Sequence, residues 1–319
     1  MAMHSRTEAY PDTLIVCSCD RSYFPLVKGL ILSLLDPGPL PEGIGLGFID
    51  IGCDAEALRW LTERGVYVRK LEEGAVGRLA DAALGYQRAQ ACRPFLPRIF
   101  PEAQVFVWMD SDMWVQDRTV FAYLRKAARS EPDKLFISPE CHYSYLPINA
   151  DTEQRRHEMY SYYEPAYGAE IARSLCKRFT LNSGFFAMHA ANGIWVEWAR
   201  QVRRLFLDEY DRYPSIVRHM AEQVALNVIA NGSARVRLLD PLYNYISHWT
   251  PPVRGEDGVV RVALPPHVPV GIVHLAGGMA YFGRAYFEQG LFYRAGAYLT
   301  PDDARMLFPE EVSAPRLYN

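Results

Sequence analysis

Val105-Phe-Val-Trp-Met-Asp-Ser-Asp-Met-Trp-Val115 sets five apolar residues directly ahead of two acids spaced two residues apart. Successive side chains of a strand alternate sides, so five apolar residues in a row fill both of its faces. Strands of that kind belong to a mostly parallel sheet with helices on both sides. In an open sheet of this class, ligands lie beyond the carboxyl ends of the strands. Asp110 and Asp112 stand where this strand runs out, so one segment indicates both a fold class and the place of a candidate site.

The flanking sequence repeats the pattern. Residues 13–19 (TLIVCSC) read as a strand, and Val27, Leu30, Ile31 and Leu34 then recur at helical spacing. Asp36-Pro-Gly-Pro stops that helix. Residues 45–51 read as a second strand, Asp54 as the cap of a helix reaching Glu63, and residues 66–68 as the start of a third strand. A helix is expected over 86–99, leading into the strand 105–109. Residues 141–167 are loose, charged and rich in tyrosine. Beyond them come a strand over 179–188, an amphipathic helix over 192–210, a helix over 221–230, an extended piece over 235–239, a Pro- and Gly-rich insertion or hairpin over 251–269, and a last apolar segment over 270–274. Alternating strands and helices with no repeat and no linker predict one α/β domain, Rossmann-like, over 13–290. Its two halves are expected over 13–115 and 116–290, with an extension at 1–12 and a tail at 291–319.

A chain of 319 residues, 50% hydrophobic and 22% charged, can bury a sizeable core without staples. A formal net charge of -3 gives no electrostatic case for nucleic acid or an anionic membrane as partner, so any phosphate must be held locally. The N-terminus lacks a basic stretch leading into an apolar run, and no window reaches the roughly 18 apolar residues of a membrane span. A cytoplasmic location and no transmembrane segment are therefore expected. The six cysteines are scattered and read as buried free thiols rather than a disulfide framework or zinc site.

Two carboxylates at a strand end offer hard oxygen ligands to Mn²⁺ or Mg²⁺, with diphosphate oxygens and water completing the shell. A lone Asp-x-Asp is common. Behind five apolar residues it means more, because acids at a buried strand end are costly unless a cation or donors compensate them. The bland alternative is a polar strand end with Asp112 capping the next turn.

The segment 105–115 resembles the metal-binding segment of family 8 glycosyltransferases, the glycogenin and bacterial lipooligosaccharide galactosyltransferase group. Further segments agree in order. Cys17-Ser-Cys-Asp-Arg-Ser-Tyr-Phe-Pro25 is similar to the family's opening strand and nucleotide loop, which puts Cys19, Asp20 and Tyr23 at the base and ribose. Arg93 matches a basic residue near the donor phosphates or sugar. Leu181-Asn-Ser-Gly-Phe-Phe-Ala-Met-His189 resembles the Asn-Ala-Gly strand that faces the donor sugar, which implicates Asn182, Ser183 and Gly184. Glu222-Gln-Val-Ala-Leu-Asn227 resembles the Asp-Gln-Asp-x-Leu-Asn segment beneath the reacting carbon, and Asp240-Pro-Leu-Tyr-Asn-Tyr245 the Leu-Pro-x-x-Tyr-Asn-Tyr that follows it. His274-Leu-Ala-Gly277 is similar to the late His-x-x-Gly whose histidine is the third metal ligand.

The resemblance implies a GT-A fold, with nucleotide and metal held by 13–115 and donor sugar and acceptor by 116–290, and a metal-dependent transfer of a hexose from a nucleotide sugar, UDP-linked, to an unknown acceptor with retention. Asp110, Asp112 and His274 are its implied metal ligands. Asp110, Ser111 and Gly277 join the implied donor-binding set, and Glu222, Gln223 and Arg93 the catalytic one. The chain departs from the family where Gly-x-x-Lys-Pro-Trp is usual after the histidine: Gly277-Gly-Met-Ala-Tyr-Phe282 lacks the lysine, and Arg284 is the candidate substitute. Glu222 and Val224 also replace two aspartates. Tyr143, Tyr145, Tyr160, Tyr162, Tyr163 and Tyr167 could stack on an acceptor sugar or serve as core or interface, while His142, His157, His248 and His267 read as surface or structural. A sugar nucleotidyltransferase would carry a Gly-rich phosphate loop after the first strand, which Cys19-Asp-Arg-Ser-Tyr-Phe24 is not. A degenerate sugar-binding protein of the same fold is the non-enzymatic alternative.

Overall fold

The computed structural model describes residues 10–71, 85–145 and 153–276. Strands β1 (Thr13–Cys19), β2 (Ile44–Asp50), β3 (Tyr67–Lys70), β4 (Val105–Met109), β6 (Leu135–Pro139), β7 (Leu181–His189) and β8 (Val236–Leu238) form one sheet in the order β3-β2-β1-β4-β7-β6-β8. All neighbours are parallel except β7, which runs antiparallel to both β4 and β6. The expectation of a mostly parallel α/β sheet is met. Because β7 alone is reversed, its first residues lie at the rim where β1, β2, β4 and β6 end.

The alternation expected for β4 is visible in the packing. Phe106 and Trp108 join one buried layer with Leu14, Val16, Phe186, Met188, Trp195 and Trp198. Val105, Val107 and Met109 join the opposite layer with Ile15, Cys17, Cys19, Phe185 and Ala187. Helices α1 (Phe24–Leu35), α2 (Ala55–Thr62) and α5 (Thr119–Ser130) cover the second face. The first face is covered by α3 (Tyr86–Cys92), α4 (Leu96–Ile99), α7 (Ile194–Arg203) and α8 (Ser215–Ala230). Asp54 caps α2 as expected, accepting from Ala57 N–H at 2.8 Å.

Five expectations are corrected. The helix over 86–99 is divided by a 3-10 turn, Arg93–Phe95, with Pro94 and Pro97 each in a first turn where a missing N–H is harmless. The helix expected to reach residue 210 leaves α geometry after Arg203 for a π turn, Arg204–Asp208. The loose stretch contains the first half of α6 (Glu153–Leu175), kinked at Gly168 with φ 80°. Its buried side is Met159, Tyr163, Ala172 and Leu175, so tyrosine stands where an aliphatic residue would have signalled a helix. α8 begins at Ser215, six residues ahead of the expectation and well before Glu222, which is therefore a mid-helix residue and not a first-turn acid. Of the cysteines, Cys17, Cys19 and Cys92 are buried, whereas Cys53 and Cys176 are half-buried and Cys141 is exposed; all six are free thiols.

A second, three-stranded sheet carries β5 (Met113–Val115), β12 (Ile272–His274) and β9 (Tyr245–Ile246) in the order β5-β12-β9. β5 directly follows the acid pair, and its antiparallel register sets His274 opposite Met113. Leu275 N–H then bonds Asp112 O at 3.1 Å. The Pro- and Gly-rich stretch is a small hairpin, β10 (Val253–Arg254) with β11 (Val260–Arg261). Residues 1–9, the domain end at 290 and the tail 291–319 lie outside the described residues. Among the described residues no helix is long and apolar enough to cross a membrane.

Trp198 tests the packed face, being fully buried with its ring 5.4 Å from Phe186 and 6.2 Å from Trp195. Trp198→Ala is expected to lower unfolding free energy in urea by about 3–5 kcal/mol. A loss below about 1 kcal/mol would show that this face is not tightly packed.

Candidate active site

The carboxyl end of β4 meets the start of β7 through Asp110 N–H, which donates to Gly184 O at 2.9 Å. Ligand atoms of Asp110, Asp112 and His274 all lie within 4.8 Å of one another. His274 Nε2 is 3.4 Å from Asp112 Oδ1 and 3.8 Å from Asp110 Oδ2. The other ring nitrogen, Nδ1, donates to Asn244 Oδ1 at 2.8 Å, because Asn244 directs its amide hydrogens at Asn182 Oδ1, 3.0 Å away. That bond fixes the tautomer and aims the Nε2 lone pair at the two acids. Burial would lower the imidazole pKa, but Asp112 and Asp110 outweigh it and raise it. Two carboxylates and an imidazole suit Mn²⁺, and the geometry fits the expected ligand set.

Gly184 keeps the space beside His274 and Asp110 open. A Cβ at that position would lie 2.6 Å from His274 Cε1 and 2.8 Å from both Asp110 Oδ2 and Asn182 Oδ1. Its N–H donates to Asn182 Oδ1 at 2.9 Å, so Asn182 orders the strand start and, through Asn244, the histidine.

Arg93 lies on the other side of Asp110. Nη2 donates to Asp110 Oδ1 at 2.5 Å, and Nη1 to Glu222 Oε2 at 2.5 Å and Ser183 Oγ at 2.7 Å. Trp108 Nε1 also donates to Asp110 Oδ1, at 2.8 Å. Burial disfavours the Arg93 charge, but Asp110 and Glu222 more than restore it. Glu222 is pushed up to about 7, first by burial and further by the Asp110 charge, against the pull of Arg93. Its Oε1 is buried without a hydrogen-bond partner among the described residues. Gln223 Oε1 accepts from Ser183 N–H at 3.0 Å.

At the far end, Asp20 Oδ1 accepts from Ser22 N–H (3.0 Å), Tyr23 N–H (3.3 Å) and Ser22 Oγ (2.6 Å), capping the 3-10 turn Arg21–Tyr23. Ser111 Oγ donates to Ser18 O at 2.6 Å, tying the acid pair to the end of β1. One cavity of about 580 Å³ takes in Cys19, Asp20 and Tyr23, the Asp110–Asp112 segment, Arg93, Asn182, Ser183, Glu222, Gln223 and His274. Gly277 and Arg284 lie outside the described residues.

The sequence reading missed Glu140, which follows β6 on the same rim. Its Oε1 accepts from Asn182 Nδ2 at 2.8 Å and Gln223 Nε2 at 3.3 Å, and burial raises its pKa. The signal was present: Leu135-Phe-Ile-Ser-Pro-Glu140 is a second apolar strand ending in an acid. His248, read as surface or structural, lines the cavity, and burial lowers its pKa to about 4. Of the six tyrosines, Tyr162 and Tyr163 reach the cavity, Tyr145 is fully buried with its hydroxyl accepting from Ile246 N–H at 2.7 Å, and Tyr143 is exposed.

No protein-family model and no curated protein sequence matches the chain. Solved structures do. The galactosyltransferase LgtC, in complex with donor and acceptor sugar analogs, superposes with a TM-score of 0.58 at 15% identity over 92% of this chain and 99% of its own. An active-site mutant of LgtC gives 0.58 at 14% identity with the same coverage. The bifunctional glycosyltransferase WbbM, in apo form, gives 0.51 at 12% identity over 92% of this chain and 53% of its own. The fold is GT-A. Within a GT-A frame, the acid pair after β4 occupies the rim at which open α/β sheets take their ligands.

Two tests follow from this geometry. Gly184→Ala is expected to weaken Mn²⁺ binding by at least about tenfold in calorimetry while leaving the circular dichroism spectrum unchanged, since the methyl enters the space between His274 and Asp110. Unaltered affinity would remove Gly184 from the site. Glu222 has a folded pKa raised from 4.5 to about 7, so its favourable contribution is complete below 4.5 and is lost as pH rises through about 7. Without metal or nucleotide, the stability of Glu222→Gln relative to wild type should therefore increase across that window and then level off. A pH-independent difference in melting temperature would contradict the raised pKa.

Proposed function

We propose that this chain is a metal-dependent glycosyltransferase that moves a hexose from a nucleotide sugar, UDP-linked, onto an acceptor with retention at the anomeric carbon. The observation that carries the reading is the convergence of Asp110, Asp112 and His274 within 4.8 Å at the carboxyl end of a parallel strand, with Nε2 freed by the Asn244 bond. Nucleotide sugars present two adjacent phosphates, and the net charge of the chain gives no general attraction for them. A divalent cation, when bound, supplies the Lewis acid that neutralises charge developing on the leaving diphosphate.

The chain's own residues divide the remaining work. Asp20 and Tyr23, beside Cys19, hold base and ribose. Asn182, Ser183 and Gly184 face the donor sugar, with Glu140 fixing Asn182 and Gln223 from behind. Arg93 is a positioning residue in this reading: three of its hydrogen bonds go to Asp110, Glu222 and Ser183, so it places the acids. Glu222 and Gln223 lie beneath the ring. Glu222 Oε2 is held by Arg93 and Ser183, which favours binding a donor hydroxyl and stabilising positive charge over attack on carbon. Front-face displacement then gives retention without a covalent intermediate.

Asp112→Asn should abolish Mn²⁺-dependent release of nucleoside diphosphate from a nucleotide sugar while the fold is kept; undiminished turnover rejects the metal assignment. Pyrophosphate release from UTP plus sugar phosphate would instead indicate a nucleotidyltransferase. Proton NMR of the product reads the anomeric configuration, and inversion would remove the front-face mechanism.

A further inference from the structure

The ends of β1 and β2 are joined beyond their ladder. Ile51 N–H reaches Cys19 O at 3.5 Å, and Arg21 N–H reaches Gly52 O at 3.2 Å. Asp50 Oδ1 accepts from Gly52 N–H at 2.9 Å and Cys53 N–H at 2.8 Å, which fixes the turn bearing Cys53. These bonds place Cys19 and Cys53, 34 residues apart in sequence, with their Sγ atoms 3.9 Å apart. The Cys53 thiol also donates to Cys19 O at 3.4 Å. A disulfide bond is about 2.05 Å long, so closing this gap needs side-chain rotation and a backbone adjustment.

We propose that Cys19 and Cys53 form a reversible disulfide when the protein meets a small-molecule disulfide, and that this bond closes down nucleotide binding. The second part rests on the function proposed above. Cys53 is half-buried and reachable, whereas Cys19 is buried on the cavity wall. Burial pushes the Cys19 thiol well up, so Cys53 reacts first. The Cys53 thiolate attacks one sulfur of the oxidant and expels one small thiolate, leaving a mixed disulfide. Cys19 then gives its proton to the expelled thiolate and attacks Cys53 Sγ, releasing the second small thiol. Two protein thiols are oxidised and one external disulfide is reduced to two thiols.

The effect on the cavity follows from which partner is fixed. Gly52 N–H and Cys53 N–H both donate to Asp50 Oδ1 and hold the turn bearing Cys53, so closure is transmitted to Cys19 and to its neighbour Asp20, whose carboxylate caps the adjoining turn. Both line the nucleotide end of the cavity.

The test uses the full chain equilibrated with glutathione disulfide. Peptide mapping should show a Cys19–Cys53 linked pair, reversed by dithiothreitol and absent from Cys53→Ser. With Mn²⁺, the affinity of oxidised wild type for UDP should fall by about tenfold, while Cys53→Ser is unaffected by the oxidant. Persistent glutathione on Cys53 without the linked pair overturns the proposal, as does unchanged UDP affinity in fully linked protein. If reduced wild type and reduced Cys53→Ser both fail to bind UDP, the proposed function has failed, and the peptide map alone then decides whether the pair forms.

Discussion

Asp110 and Glu222 come from opposite sides of the cavity floor, one from the end of a central strand and the other from the middle of a helix. Two carboxylates this deep would repel each other and lose their hydration, a combination that proteins tolerate only with compensation. Arg93 supplies it, bonding one acid with each terminal nitrogen while its Cζ lies 5.2 Å from the centroid of the Trp108 ring. The compensation is incomplete. Asp112 adds a further negative charge beside His274, and Glu222 is still pushed up to about 7. The residual negative charge is what a divalent cation would answer, so the same imbalance that burdens the fold prepares the site.

This arrangement depends on Arg93 standing between β4 and α8, and the break in the helix ahead of β4 provides that. Pro94 and Pro97 end regular helix just where a basic side chain must turn inward. Trp198 then fixes the opposite partner: its Nε1 donates to Glu222 O at 3.1 Å, so the helix carrying Glu222 is registered on the sheet by a core residue. Packing and site chemistry therefore share residues, and a substitution in the core near Trp198 would be felt by the acid that Arg93 holds.

Much of this is legible in the sequence. β4 is legible because a run of five apolar residues ended by acids is short for a helix and suits a strand buried on both faces, and β1, β2, α1 and α2 follow from the same alternation of strand and helix. Asp110, Asp112 and His274 were named together only because an ordered series of segments resembled a known family; their spacing along the chain is too wide for periodicity to join them. The small sheet that unites them is built from strands of two and three residues, too short to leave a pattern. α6 escapes the sequence pattern because Tyr163 is buried in its packed side with Tyr160, Tyr162 and Tyr167 half-buried around it, and tyrosine reads as surface as readily as core. Glu140 was lost for a different reason, since it sits in a segment with no counterpart in the resemblance even though the strand-end rule applies to it.

The reversed strand explains why such scattered residues meet. In an all-parallel sheet the binding rim is made only of strand carboxyl ends and the loops that follow. β7 instead delivers its amino end, Leu181 to Gly184, into that rim between β4 and β6, with Phe185 paired to Met109. Three backbone groups at the strand start become ligatures: Gly184 O takes Asp110 N–H, Gly184 N–H takes Asn182 Oδ1, and Ser183 N–H takes Gln223 Oε1. A strand start can do this because its first residues leave the ladder one at a time, while the glycine lets the backbone approach the acid pair with no side chain between. The reversal thus converts the seam between the two halves of the sheet into the floor of the cavity, and it makes Gly184 the point where the fold and the candidate metal ligands are decided together.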